Sequence, residues 1–476
     1  VQFRPWGPAQ STYTNLPAGV YTIQYTDKVN PANGLPFSDF TFSINQFTGC
    51  NKSATVTITE PAPFSVPVTQ SPAVCQGDTN GFLSLVPTGG SPPYQVNFYS
   101  GHFANTTAPV VNSNMTAIGQ QTGVTSGQTV TKNGLAGGQY AIQLTDVNGC
   151  VYSGNFTLIE NPKGQVNATA DNAYCAGSPV TAVFGTTHPG GTTTYNWTNT
   201  NAAIGLAASG TGNISFTSTN TTNAPIQGEI TVTPTYTANG VSCVGPADTF
   251  IITVNPKPVI QNSAPIICSG EAFTVSPANS GTTIVPANTS YTWTVTPNDN
   301  ITGESNQATG QSSISQTLTN TSNTVQTVTY TVTPTSGAAG NCVGQTFQVA
   351  VTVNPKPSIQ AETIAACSNA PITYSATHGG SNIVPTNTQY TWTIKTDNAN
   401  ITGKSAQATA QATFTQTLRN TTNTQQIIVY TITPKSGTCV GAPFDLTVNV
   451  NPTPEIAAKT AVICSTDTFT VSPTNT

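Results

Sequence analysis

Three strand-like stretches of this chain stop on nearly the same four residues. NPKP at 255–258 follows FIITV, NPKP at 354–357 follows VAVTV, and NPTP at 451–454 follows LTVNV. Proline has no amide hydrogen to give to a sheet, so two of them around one residue end a strand. The residue before each proline is held extended. Between the stops other pieces return in the same order. YNW at Tyr195–Trp197 is answered by YTW at Tyr291–Trp293 and at Tyr390–Trp392. TIVPANTSYTWTV is matched by NIVPTNTQYTWTI, SQTLTNTSNT by TQTLRNTTNT, and CVG recurs at Cys243, Cys342 and Cys439. A period near a hundred residues, with about seven short alternating strands in each, predicts one β-sandwich per repeat. The short stiff joins predict a rod.

Composition agrees with an all-β chain. Only 6% of residues are charged, and Thr, Asn, Ser and Gln supply the polarity, which suits strands and turns better than helix interiors. The formal charge of −5 is spread over 17 acids and 12 bases. Nothing in it neutralises a row of phosphates, which argues against a nucleic-acid partner. No 18-residue apolar run proposes a transmembrane segment. The sequence begins at Val1 without a leader pattern and stops at TVSPTNT, so it reads as an internal piece of a longer chain.

A second kind of repeat precedes the Trp-bearing ones. TGGSPPYQVNFYSG (88–101) and GLAGGQYAIQLTDVNGC (134–150) lead into VYSGNFTLIENP, and NLPAGVYTIQYTD (15–27) with GCNKSATVTITEP (49–61) foreshadows that ending. The expected organisation is the end of one such domain at 1–61, a whole one at 62–162, Trp-bearing domains at 163–257, 258–356 and 357–453, and the start of another at 454–476.

CQGDTNGFLSLVPTGGSPPYQV with LAGGQYAIQLTDVNGC resembles the SprB repeat. The units with ICSGEAFTVSP, YTWTV, YTVTP, CVG and VTVNPKP resemble the PKD-like domains of Bacteroidota surface proteins. Together they are similar to gliding adhesins of the SprB type. That resemblance implies a linear array of immunoglobulin-like sandwiches, export by type IX secretion, a place outside the cell at its surface, and a role in gliding motility. The partners it implies are a polysaccharide or solid surface, outer-membrane gliding and secretion proteins, and the neighbouring domains of the same long chain. PKD domains carry an acidic GDG-like stretch after the strand-C Trp. This chain has TVTPNDN and TIKTDNAN there, so no ligand site carries over.

Ten cysteines stand at Cys50, Cys75, Cys150, Cys175, Cys243, Cys268, Cys342, Cys367, Cys439 and Cys464. Subtracting neighbouring positions gives 25, 75, 25, 68, 25, 74, 25, 72 and 25. The even count and repeating spacing fit disulfides made in an oxidising compartment. The absence of CxxC or HxxxH pairs argues against zinc. Two pairings compete. Bridges inside each domain would join Cys75–Cys150, Cys175–Cys243, Cys268–Cys342 and Cys367–Cys439. In an immunoglobulin-like strand order, however, the first Cys of a domain lies at the pole facing the next domain, and the CVG Cys lies at the opposite pole. A bridge needs Cα atoms within about 7 Å. That order favours Cys75–Cys243, Cys175–Cys342 and Cys268–Cys439, each stapling a junction, and the invariant gap of 25 agrees with it.

Few residues suggest chemistry. Trp197, Trp293 and Trp392 share a face with apolar neighbours and are expected in the cores. His102, His188 and His378 lie in three different units without counterparts, so neither a catalytic triad nor a metal cluster is expected, and no cofactor. TDVNGC at 145–150 could be a calcium-loop fragment but fits a hairpin turn better. Tyr99, His102 and Phe103 cluster about Gly101 and are a candidate glycan contact, against the alternative of core packing for Phe98 and simple loop filling for the others. The expected function is a non-enzymatic structural stalk presenting an adhesive tip. The alternatives are multivalent glycan-binding modules or spacer domains of an exported enzyme.

Overall fold

The computed structural model describes residues 16–26, 51–337 and 340–473. Among them the only helix is a single 3-10 turn, Ala202–Ile204, and every other regular element is a β-strand. The strands read as the alternation requires. Phe347–Asn354 alternates buried and half-buried or exposed side chains along its length, as does Gln326–Thr335. Thr fills many of the outward positions, where its branched side chain suits a pleated surface.

The chain packs as two units. One comprises residues 1–167, 184–196 and 233–247; the other comprises 168–183, 197–232 and 248–476. In the first unit, Val151–Leu158, Gly138–Thr145, Tyr94–Ser100 and Thr116–Val124 form one antiparallel sheet in that order. Val68–Gln70, Gly81–Leu85 and Val130–Leu135 form another. Leu83, Leu85, Tyr94, Val96, Ile142 and Leu144 fill the core of this sandwich. A hairpin of Thr235–Ala238 against Val241–Val244 also belongs to this unit.

The second unit holds two closely matching sandwiches. In one, Ile266–Cys268, Phe347–Asn354, Gln326–Thr335, Ser290–Val295 and Gln307–Gln311 form a sheet, and Glu271–Val275, Ile314–Asn320 and Ile301–Thr302 form the second layer. In the other, the larger sheet runs Glu362–Cys367, Phe444–Asn451, Gln426–Ser436, Gln389–Thr396 and Gln407–Gln411. Phe273, Trp293 and Tyr330 lie at the centre of the first, and Trp392, Phe414 and Tyr430 at the centre of the second. The fold is all-β, a succession of immunoglobulin-like sandwiches. Residues 454–473 carry no strand.

In each sandwich an early strand that ends in a cysteine pairs in parallel with the last strand, the one that ends in Asn-Pro. The chain therefore reaches the same end of the sandwich on that early strand as on its last.

Candidate functional site: the disulfide-bonded junctions

The Asn of each Asn-Pro stop lies opposite a cysteine. Cys75 pairs with Asn161, Cys175 with Asn255, Cys268 with Asn354 and Cys367 with Asn451. The residue after each cysteine donates its backbone N–H to that asparagine's carbonyl. Gln76 reaches Asn161 at 2.9 Å, Ala176 reaches Asn255 at 3.0 Å, and Ser269 and Ser368 reach Asn354 and Asn451 at 2.9 Å. The proline that follows cannot extend the ladder. The stop signal thus fixes a cysteine at the exit of every sandwich.

Each of three such cysteines is bonded to the CVG cysteine of the following repeat. Cys75 joins Cys243 with Cα atoms 5.5 Å apart, and Cys175 joins Cys342 and Cys268 joins Cys439 at 5.6 Å. Among the described cysteines none pairs within its own repeat. Cys268 ends level with Asn354, whereas Cys342 precedes the start of the closing strand Phe347–Asn354. A strand of about eight residues spans about 26 Å, far beyond the reach of a disulfide. The expectation of ten bridged cysteines is corrected at Cys150, Cys367 and Cys464, which are exposed and unbridged. The bridges have sequence separations of 168, 167 and 171, and no cysteine of this sequence stands at that register from any of the three. Cys50 lies outside the described residues.

At the first junction the CVG cysteine, Cys243, is carried on a tight hairpin. Between Ala238 and Val241, Asn239 and Gly240 both take positive φ, 51° and 74°, the backbone of the turn that suits a two-residue hairpin. At the first junction the buried Asn161 donates from Nδ2 to the Ala238 carbonyl at 2.6 Å, and its Oδ1 accepts from Asn239 Nδ2 at 2.9 Å. The glycine of CVG then passes against the linker. A Cβ on Gly245 would lie 1.7 Å from the Gly164 oxygen, on Gly344 2.5 Å from the Pro258 oxygen, and on Gly441 2.3 Å from the Pro357 oxygen. No side chain fits there, which explains the third letter of the motif. The linkers differ in one respect. Gly164 donates its N–H to the Cys243 carbonyl at 3.0 Å, a bond that Pro258 and Pro357 cannot make. An open crevice of about 460 Å³ lies at the third junction, lined by Asn323, Thr324, Asn354, Pro385, Thr386 and Ser436 among others. Its lining includes no aromatic face on which a sugar could stack.

Trp197, Trp293 and Trp392 are buried, as the sequence leads one to expect. Trp293 and Trp392 donate from Nε1 to the carbonyls of Ser305 and Ser405 at 3.1 and 3.0 Å; the Trp197 Nε1 is buried without a partner. Tyr99 and Phe103 are buried against each other, ring edge to ring face at 5.7 Å, with Met115 and Ala141, apart from the core that holds Phe98 and Ile142. His102 Nε2 lies 2.8 Å from the Phe156 carbonyl. The candidate glycan contact is therefore corrected: two of its three rings are buried in a small cluster on the face of the sheet opposite the sandwich core. His188 stands edge-on to Tyr236, and His378 Nδ1 accepts from the Val384 N–H. Asp146 closes its own turn, with Oδ1 accepting from the N–H groups of Asn148 and Cys150 and Oδ2 from that of Ser91. Burial works to raise this carboxyl, and the three N–H groups outweigh it, holding it below its ordinary value. Both oxygens are thereby committed to the hairpin.

Sequence reasoning missed the buried asparagines that open the NTTN and NTSN stretches. Asn220, Asn320 and Asn420 each donate to the carbonyl of a closing-strand residue, Val254, Val353 and Val450, at 2.8 to 3.0 Å. Each also accepts, at Oδ1, from the N–H two residues on. The signal was the recurrence of NTTN at 220–223 and 420–423 and of NTSN at 320–323.

This is the architecture of immunoglobulin-like domain proteins. The family model of the PKD-like domain matches residues 265–357 and 364–454. No curated protein matches the sequence. Among solved structures, the human desmocollin-1 ectodomain is 12% identical, covering 78% of this chain and 78% of its own, with a TM-score of 0.24. The N-terminal eight Ig domains of Down syndrome cell adhesion molecule are 10% identical, covering 90% of this chain and 64% of their own, with a TM-score of 0.21. The insect immune protein hemolin is 11% identical, covering 83% of this chain and all of its own, also at 0.21.

Proposed function

We propose that these residues form the stalk of a large secreted adhesin, resembling gliding adhesins of the SprB type and exported to the cell surface. The observation that carries this reading is the covalent bond at each of three successive junctions. A disulfide between domains adds nothing to a single domain's own core, and it is of use where domains must stay together under load. Disulfides also fit an extracellular place. The domain boundaries at 61, 162, 257, 356 and 453 belong to the same proposal, as do a polysaccharide or solid surface as the attachment target and outer-membrane gliding and secretion proteins as partners. The domains act in this role without catalysis or cofactor.

Replacing residues 258–356 in the producing cell by an unrelated sandwich of equal length that keeps cysteines at 268 and 342, and so both staples, tests it. A stalk keeps surface attachment after the exchange. Loss of attachment with normal display at the surface would favour the multivalent glycan-binding reading, and the isolated chain would then bind a glycan array directly.

A further inference from the structure

We infer that the three staples give the chain a covalent load path that follows only the closing strand of one sandwich and the opening strand of the next, leaving the rest of each sandwich beside it, so that tension is carried by the disulfides and by the short segments that join one staple to another. The connectivity dictates this. From Cys75 the path crosses to Cys243, follows the chain from there to Cys268, and crosses again to Cys439. The stretches between a first cysteine and the CVG or closing cysteine of the same repeat, 75–150, 175–243, 268–342 and 367–439, hang beside the path as loops. A second path interleaves with the first. It runs along the chain from Cys150 to Cys175, across to Cys342, and along the chain again to Cys367.

The geometry explains why the joining segments do not vary in length. The stretch 342–367 runs down the closing strand Phe347–Asn354, crosses the NPKP stop, and continues on Glu362–Cys367, which is parallel to Phe444–Asn451 and ends level with Asn451. The segment is thus extended through one sandwich and then the next. At about 3.3 Å per residue, a run of about 25 residues reaches roughly 80 Å, with little slack for an insertion. The loops beside the path carry no such constraint, and their lengths differ, from the shortest at 175–243 to the longest at 75–150. This holds whatever the chain presents at its tip, so it stands or falls apart from the stalk reading.

Single-molecule pulling on the whole chain by its two ends, with exposed thiols alkylated, tests the path. In the oxidised protein only residues 1–75, 243–268 and 439–476 can be drawn straight, less than a third of the chain. Full extension should therefore rise about three-fold on reduction. The topology also separates the staples. The double variant Cys175→Ser/Cys342→Ser removes a bridge yet leaves the shortest path unchanged, so full extension stays the same. Cys268→Ser/Cys439→Ser removes the same number of bonds and should double it, as should Cys75→Ser/Cys243→Ser. Equal lengthening in all three variants, or an oxidised chain that extends as far as the reduced one, would overturn the inference.

Discussion

The repeat around Trp197 and the two around Trp293 and Trp392 differ most where a sandwich is usually most constrained. Beside Trp293 and Trp392 a serine carbonyl accepts the indole N–H, and a glutamine, Gln316 or Gln416, donates to that same carbonyl at 2.8 or 3.0 Å. Beside Trp197 the ring instead meets Gly210, where a Cβ would come within 2.2 Å of it, and the indole N–H has no partner. The family model matches the later two repeats. Yet the junction geometry is shared by all of them, and also by the unlike repeat that contains Cys75. The same parallel pairing, the same N–H to the Asn-Pro asparagine and the same cysteine-to-cysteine gap recur in each. A core can be repacked around a different set of side chains so long as volume is kept. A junction that must bring two sulfurs together cannot drift by even one residue.

The largest expected effect is in the core. Trp293→Ala removes a buried indole and should cost roughly 3–5 kcal/mol in its own sandwich, read as a lowered calorimetric transition. A near-native transition would place the ring at the surface and undo the comparison. Next come the junction glycines. Gly245→Ala and Gly344→Ala force a methyl group against linker backbone and should each cost about 1–3 kcal/mol. Gly245 should be the more severe, because its Cβ would stand 1.7 Å from a carbonyl oxygen rather than 2.5 Å. Circular dichroism melting of both variants checks the order.

A smaller effect separates the two kinds of Trp site. Trp293→Phe gives up a buried hydrogen bond to Ser305, whereas Trp197→Phe removes an N–H that has none. The cost at Trp293 should exceed that at Trp197 by about 1 kcal/mol. Equal costs in urea titrations would mean that the indole bond adds nothing and that the two cores are energetically alike.

Much of this was legible in the sequence, for identifiable reasons. The alternation in VAVTV and LTVNV shows strands, the prolines show where they stop, and the cysteine arithmetic separates a fixed gap from a variable one. Strand order combined with the reach of a disulfide favoured the staple but left the bridge inside each domain as its rival. What sequence could not show was contact between residues far apart in the chain. Tyr99 and Phe103 read as an open aromatic loop because nothing in NFYSGHF reveals that Asn155 pins Phe103, accepting its N–H and donating to its carbonyl. The recurrence of CVG gave no reason for its glycine, which is the carbonyl of Gly164, Pro258 or Pro357 lying against it. Asn161 read only as the residue before a proline, although its side chain grips the next hairpin.

The smallest effect tests whether matching repeats reach one local structure by different charges. In one repeat Glu304 accepts the Asn298 N–H at 2.7 Å, with Pro297 beside it. In the next, Asp397 accepts the equivalent N–H of Asn398 at 2.7 Å, and Lys404, standing where Glu304 would be, bonds to Asp397. The Lys404 bond holds the Asp397 carboxyl below its ordinary value. The pair's contribution is therefore present above the ordinary carboxylate pKa of about 3.9 and is lost as falling pH protonates Asp397 in the folded chain. Asp397 is 67% exposed, so solvent screens the pair, and Lys404→Ala should leave stability at neutral pH almost unchanged. Lys404→Glu should do more harm, since it sets a carboxylate beside Asp397. Adding Asp397→Pro to Lys404→Glu recreates the neighbouring repeat's arrangement and should recover the loss. Thermal melts of the four proteins at neutral pH, repeated near pH 3, decide it: if the double variant is no better than Lys404→Glu alone, the two repeats do not share an interchangeable cap.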